Sequence, residues 1–230
     1  MTRAFLIPVG VAVLALAATT PLSMSQQTAD GAATSLAVVT FTLDFPQSNP
    51  EHYSISVDAA GHARYECTGK IAEDSEEQVY KSEFEMSAAS RKRIFEWAKQ
   101  AQYFAGKLDS GNRKVAFVGT KMLSYKDGQR SFTARYNYSR VAAVQQLTTL
   151  FQNMEGTLEY GSRLSYYHRY QKLALDDELK RMEAQAKNSE IGELQAVAPV
   201  LQEIIDDASV MNVVRVRATQ LLEMGNNAAK

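Results

Sequence analysis

Apolar and polar residues alternate in three runs between residues 37 and 67, and this alternation constrains the fold more than any other feature. A first alternating run ends at Pro46, and two more follow on either side of Gly61. A period of two is typical of strands with one buried face, and a glycine-bearing turn between two such runs predicts an antiparallel hairpin. The apolar members of the hairpin are Tyr53, Ile55, Val57, Ala63, Tyr65 and Cys67. The folded part of the chain therefore begins with three strands of a sheet.

The period then changes to that of a helix. After a fourth strand, Ser87 is a good N-cap for a helix whose apolar residues recur every three to four positions. Two more strands, over residues 114–125 and 130–138, are joined by an Asp-Gly turn. A second helix is marked by Val144, Leu147, Phe151 and Met154. Residues 36–156 therefore predict an α+β domain, with an antiparallel sheet of about six strands covered by two helices.

An all-helical extension is predicted over residues 157–230. Residues 157–187 contain no proline and predict one long helix, and residues 190–207 and 210–224 predict two shorter ones. The spacing of that last pair resembles a single HEAT-type helical hairpin, a repeat that usually needs about three copies to bury a continuous core. We expect this single hairpin to dock on the α+β domain or on another chain.

Residues 1–29 have the layout of a secretory signal peptide. Arg3 precedes an uncharged apolar run over residues 4–18, and small and polar residues follow. An uncleaved membrane anchor is the alternative interpretation. The run is shorter than the roughly 20 residues that span a bilayer as a helix, which favours the signal peptide. With a linker over residues 30–35, the sequence predicts an exported protein, periplasmic or secreted, without a membrane span after cleavage.

Charge and cysteine content restrict the partners and the covalent framework. The formal net charge of −1 gives no indication of nucleic-acid binding, which favours strongly basic domains. Cys67 is the only cysteine, so no internal disulfide is possible. Because it lies on the apolar side of a predicted strand, we expect a buried structural thiol, with an intermolecular disulfide as the alternative.

The first hairpin resembles that of a bacterial family of exported α+β domains of unknown function. The resemblance covers about residues 38–155 and begins with the run PEHYSISVD at residues 50–58. The family's further features stand here as Gly61, Tyr65, Gly69 and the aromatic pair Tyr103-Phe104. The resemblance implies this fold and export, and it implies no activity.

The sequence predicts no catalytic residue, metal or cofactor. It contains none of the common serine-nucleophile, phosphate-loop or dinucleotide-binding motifs. His52 and His62 flank the first hairpin and could approach each other, but metal ligands usually come in denser clusters. The acidic run at residues 73–77 lacks the spaced ligands of a calcium loop.

A cluster of tyrosines and arginines in the predicted long helix is the candidate binding site. Tyrosine and arginine dominate interface hot spots, whereas the alternative is that they form ordinary amphipathic cover. The candidate binding residues are Tyr160, Arg163, Tyr166, Arg169 and Tyr170.

These features predict an exported non-enzymatic protein of the cell envelope that engages a protein partner, or itself, through its C-terminal helices. One alternative is an envelope hydrolase that uses paired carboxylates such as Glu178 with Glu183, or Asp206 with Asp207. The other is a domain that binds a small ligand between sheet and helices.

Overall fold

A six-stranded antiparallel sheet forms the first part of the fold, in the order β4-β3-β2-β1-β5-β6. The computed structural model describes residues 36–46, 48–70, 77–112 and 114–228. The predicted signal peptide and linker lie outside the described residues, as does the acidic run except for Glu77. The strands are β1 (Val38–Asp44), β2 (His52–Asp58), β3 (His62–Gly69), β4 (Gln78–Glu85), β5 (Thr120–Lys126) and β6 (Ser131–Tyr136).

Five α-helices are present in the described residues, and most of them follow the sheet. They are α1 (Ala88–Gln100), α2 (Ala142–Tyr170), α3 (Leu175–Lys187), α4 (Ala198–Asp206) and α5 (Asn212–Ala228). The predicted α+β fold with a helical extension is confirmed. Within the described residues, no helix combines the length and the apolar character needed to cross a bilayer.

Helices α1 and α2 cover one face of the sheet. Phe41 of β1 is paired with Ile55 on one neighbouring strand and with Leu123 on the other, and all three side chains are fully buried. Phe151 of α2 stacks on Phe41, with ring centroids 5.3 Å apart. Burying a side chain of this size contributes about 2 kcal/mol. The alternation predicted from the sequence therefore fixes which face receives the helices.

Short polar side chains set the ends of the elements. Asp58 Oδ1 accepts the backbone N–H groups of Ala60, Gly61 and His62, and Gly61 adopts a φ of +112° that a residue with a Cβ rarely takes. Ser87 Oγ accepts the N–H of Ser90 and caps α1 as predicted.

The predicted strand over residues 114–125 is too long at its start, because β5 begins only at Thr120. Gly119 has a φ of +92° and packs so tightly that an added Cβ would lie 2.8 Å from Leu43 Cδ1. The chain before it forms a loop held by the Asn137 side chain, which accepts the Val118 N–H and donates to Ala116 O. These contacts depend on residues far along the chain and are not visible in the local pattern.

The prediction of one long helix over residues 157–187 is wrong. The chain leaves α2 at Gln171, makes a 3₁₀ turn over Lys172–Ala174 and re-enters a helix at Leu175. The turn places Leu164, Leu175 and Leu179 in one buried cluster. A straight helix would keep Leu164 apart from the other two. The next predicted helix, over residues 190–207, begins only at Ala198, after a 3₁₀ turn over Leu194–Val197.

Helix α2 carries the chain from the sheet to the C-terminal helices, and the described residues belong to one compact unit. The predicted border between residues 156 and 157 lies inside this helix. One buried cluster extends along α2 as far as Leu158, and a second begins at Tyr160. The backbone N–H and the hydroxyl of Ser87 also donate to the Glu193 carboxylate, at 2.9 and 2.8 Å. The helical extension therefore packs on the sheet part of the fold.

Candidate functional site

A groove lies between the edge strand β4 and the second half of α2. In the sheet order, β4 has β3 on one side only. The groove has a volume of about 440 Å³. It is lined by Gln78, Tyr80, Ser162, Ser165, Tyr166, Arg169 and Tyr170. We call it the β4–α2 groove.

Three of the five predicted binding residues line this groove. Tyr166 and Tyr170 lie one helical turn apart, with ring centroids separated by 5.2 Å. The Arg169 guanidinium lies 5.9 Å from the Tyr170 ring centroid. Tyr170 is 64% exposed, so the cluster presents aromatic surface to an incoming molecule.

The other two predicted residues are inside the fold. Tyr160 is buried, and the Arg163 guanidinium lies over its ring at 4.6 Å from the centroid. Arg163 also donates to Glu178 at 2.6 Å and pairs with Glu159 at 2.5 Å. Tyr160 and Arg163 therefore join α2 to α3, and only Arg163 reaches the wall of an adjoining cavity.

That smaller cavity has a volume of about 60 Å³ and adjoins the β4–α2 groove. The two share the side chains of Gln78, Tyr80 and Ser162. Its wall also includes Cys67, which is a half-buried free thiol, and burial raises the pKa of this thiol. A raised thiol pKa reduces the thiolate fraction at neutral pH, as expected for a structural cysteine.

Beside this cavity, two buried polar atoms lack a hydrogen-bond partner in the described part of the chain. They are the hydroxyl of Tyr65 and Oε1 of Glu155. Burial, reinforced by the nearby Glu159, raises the pKa of Glu155 to about 8. Burial also raises the pKa of Tyr65. At neutral pH the Glu155 carboxyl is therefore mostly protonated and has a proton to donate.

The sequence reasoning did not select Glu155, Glu159 or Tyr65. One signal was available, because Glu155 follows Phe151 by four positions and so continues the buried side of α2. A carboxylate on the apolar stripe of a helix indicates a buried acid. Nothing in the sequence places Tyr65 of β3 near Glu155, since only the packing of α2 on the sheet brings the two residues together.

The carboxylates considered for a hydrolase form salt bridges or hydrogen bonds with neighbouring side chains. Glu178 is buried between Arg163 and Arg181, and Glu183 pairs with Lys187 and Arg217. Asp206 accepts a hydrogen bond from Gln202 at 2.9 Å. These contacts hold each carboxylate in a structural interaction.

A polar cluster joins the end of α2 to the loop before α5, and of its members the sequence reasoning had considered only Asp207 as a candidate. Asp207 accepts from His168 at 2.9 Å and from Lys172 at 2.5 Å, and Lys172 also donates to Ser209 at 2.5 Å. These donors lower the pKa of Asp207. These contacts fix the loop before α5 against the end of α2.

The structure does not bring His52 and His62 together. His52 opens β2 opposite Thr68, whereas His62 opens β3 at the other end of the same hairpin. His52 Nδ1 lies 2.5 Å from Asp44, and His62 pairs with Glu85. Within the described ranges, no group of three or more histidine, cysteine or acidic side chains is placed to hold a metal ion.

Comparison with known proteins finds no matching family model and no significantly similar curated protein. The resemblance of residues 38–155 to an exported domain family therefore stays a prediction, as does that of residues 190–224 to a HEAT-type hairpin.

Proposed function

We propose that this chain is an exported, non-enzymatic protein-binding module whose β4–α2 groove holds an extended segment of a partner protein. The observation that carries the proposal is the convergence of Tyr166, Arg169 and Tyr170 on one groove beside an edge strand. Export rests on the signal-peptide pattern of residues 1–29.

The edge strand supplies the backbone part of recognition. Within the described residues, β4 pairs with β3 and receives no other backbone hydrogen bond. Its outer N–H and C=O groups are therefore a template for one more strand. A segment added in this way gains its affinity from main-chain hydrogen bonds and its specificity from side-chain contacts.

The groove wall supplies those side-chain contacts. The rings of Tyr166 and Tyr170 offer rigid, partly apolar surface of the kind that dominates protein interfaces. Among the described lining residues, Arg169 is the only one with a formal charge. We therefore expect the bound segment to carry a carboxylate, from an acidic side chain or a chain terminus, opposite Arg169.

Site-specific photocrosslinking in the native host tests the proposal. A benzoylphenylalanine at position 170 is compared with one at position 213, because Val213 is an exposed residue on α5 and no described residue of α5 lines the groove. We expect position 170 to capture one protein through an extended segment that contains an acidic residue. We expect Arg169→Glu to reduce capture at least tenfold.

Arg93→Glu is the matched control, since Arg93 is an exposed arginine on α1 and the charge change is the same. Capture should be unchanged by this variant. The proposal fails if positions 170 and 213 capture the same products, or if capture does not depend on Arg169. It also fails if the captured protein is a second copy of this chain.

A further inference from the structure

Lys121 is a buried lysine that has no carboxylate partner among the residues the structure describes. It lies on β5 between Leu43 and Tyr136 of the neighbouring strands, and the residue is only 5% exposed. Its ammonium donates to the backbone carbonyls of Asn137 at 3.1 Å and Val118 at 3.4 Å. Burial lowers the pKa of Lys121, and no neighbouring charge offsets this effect.

This arrangement leaves the ammonium incompletely satisfied. An ammonium has three N–H donors, and two carbonyls, one of them distant, accept from it here. A buried charge costs several kcal/mol unless a charge of opposite sign compensates it. An anion beside Lys121 would supply both the missing acceptor and the missing charge.

A cavity of about 380 Å³ opens beside this lysine, between the loop before β5, the end of β6 and the start of α2. Val115, Val118 and the rings of Tyr136 and Tyr138 form its apolar walls. No acidic residue belongs to the described lining. The cavity therefore combines apolar walls with one buried cation.

We propose that this cavity binds a small amphipathic anion, an alkyl carboxylate, with its carboxylate against the Lys121 ammonium and its chain along Val115 and Val118. The carboxylate accepts the unused N–H and removes the uncompensated charge. The alkyl chain buries apolar surface against the two valines, which favours binding. This site is separate from the β4–α2 groove, because it lies beside β5 and β6, on the other side of the sheet order from β4.

Titration of the ¹⁵N-labelled protein with sodium octanoate, and separately with octanol, tests the proposal. We expect octanoate to shift the backbone amide signals of Val118, Asn137 and Thr149, and octanol to bind at least tenfold more weakly. Lys121→Met should bind octanoate at least tenfold more weakly and should remain folded, because methionine fills a similar volume without a buried charge.

Thr149→Glu provides a second variant that does not depend on replacing a core residue. Thr149 is exposed on α2 and lines the cavity, so a glutamate there places a competing carboxylate near Lys121. We expect Thr149→Glu to reduce octanoate binding at least tenfold, and the uncharged Thr149→Gln to change it little. The proposal is overturned if octanoate does not bind the unmodified protein, if octanol binds equally well, or if octanoate binding survives both Lys121→Met and Thr149→Glu.

Discussion

Arg163 on α2 donates through its Nε to the Glu178 carboxylate on α3 at 2.6 Å, and the Glu178 side chain is only 2% exposed. The two residues are fifteen positions apart, a distance of about 22 Å along an uninterrupted helix. The turn after Gln171 is what brings them into contact. This buried pair therefore fixes α3 against the part of α2 that continues into the groove.

Removing the carboxylate of this pair should strongly destabilise the protein. Glu178→Ala leaves the Arg163 guanidinium, and that of Arg181, without the buried carboxylate. Because Arg163 keeps its pairing with Glu159 and Arg181 is largely exposed, we expect the free energy of unfolding to fall by about 1.5–3 kcal/mol, measured by urea denaturation. Glu203→Ala removes a largely exposed carboxylate and should change the free energy by less than about 0.5 kcal/mol. Equal effects of the two variants would contradict the structural role of the buried pair.

The raised pKa of Glu155 predicts that stability falls as pH increases. The folded carboxyl titrates near 8, whereas the unfolded one titrates near its ordinary value of 4.5. The contribution of the Glu155 carboxyl to the free energy of unfolding is therefore complete below about pH 4.5. It is lost as pH rises to about 8, since only the unfolded chain releases the proton in this window. Between pH 5 and 8, the parent should lose on the order of 3 kcal/mol more than Glu155→Gln.

Chemical denaturation at several pH values measures this difference. Glu203→Gln is the matched control, because it removes a largely exposed carboxylate, leaves Glu155 and Glu159 in place and should keep the pH dependence. Parallel stability curves for the parent and Glu155→Gln would show that the acid is not held protonated.

Gly161 allows α2 to approach the 3₁₀ turn before α4. A Cβ at this position would lie 2.5 Å from Val197 Cγ1. In an exposed helix Gly→Ala stabilises by about 1 kcal/mol, but here we expect Gly161→Ala to destabilise by about 1–3 kcal/mol through overpacking. In the background of Val197→Ala the same change should be neutral or stabilising. Thermal unfolding of the four proteins in this cycle measures the coupling, and additive effects would contradict the close approach.

Ser87 both caps α1 and joins it to the segment before α4. Ser87→Ala removes the cap and one donor to Glu193, so we expect a loss of about 1–2 kcal/mol. Ser87→Thr keeps the hydroxyl and should restore most of the stability. Ser87→Asp keeps a cap, but its carboxylate faces that of Glu193. We therefore expect Ser87→Asp not to restore the lost stability. If aspartate restored stability as well as threonine does, the link to Glu193 would contribute nothing measurable.

Much of the sheet could be predicted from the sequence because its pattern is local. The alternation of Tyr53, Ile55 and Val57 depends on one buried face, and the turn at Gly61 requires a residue that tolerates positive φ. The break after Gln171 could not be predicted. It depends on Leu175 joining a cluster with residues from α4 and α5, which no local window contains.

The candidate site was predictable in part for the same reason. Tyr166, Arg169 and Tyr170 were found because they lie close together in sequence on one helix. Their separation from Tyr160 and Arg163 follows from the position of α3, and the presence of Tyr80 across the groove follows from the packing of α2 on the sheet. Both are long-range contacts that the spacing of side chains on α2 does not encode.

The most direct test of the account is hydrogen–deuterium exchange of β4 in the presence of a synthetic peptide that matches the crosslinked partner segment. If the segment adds a strand to the edge, amides within residues 78–85 should exchange at least tenfold more slowly with the peptide bound, while those of α5 stay unchanged. Unchanged exchange in β4, or protection confined to another surface, would contradict the claim that the β4–α2 groove is the binding site.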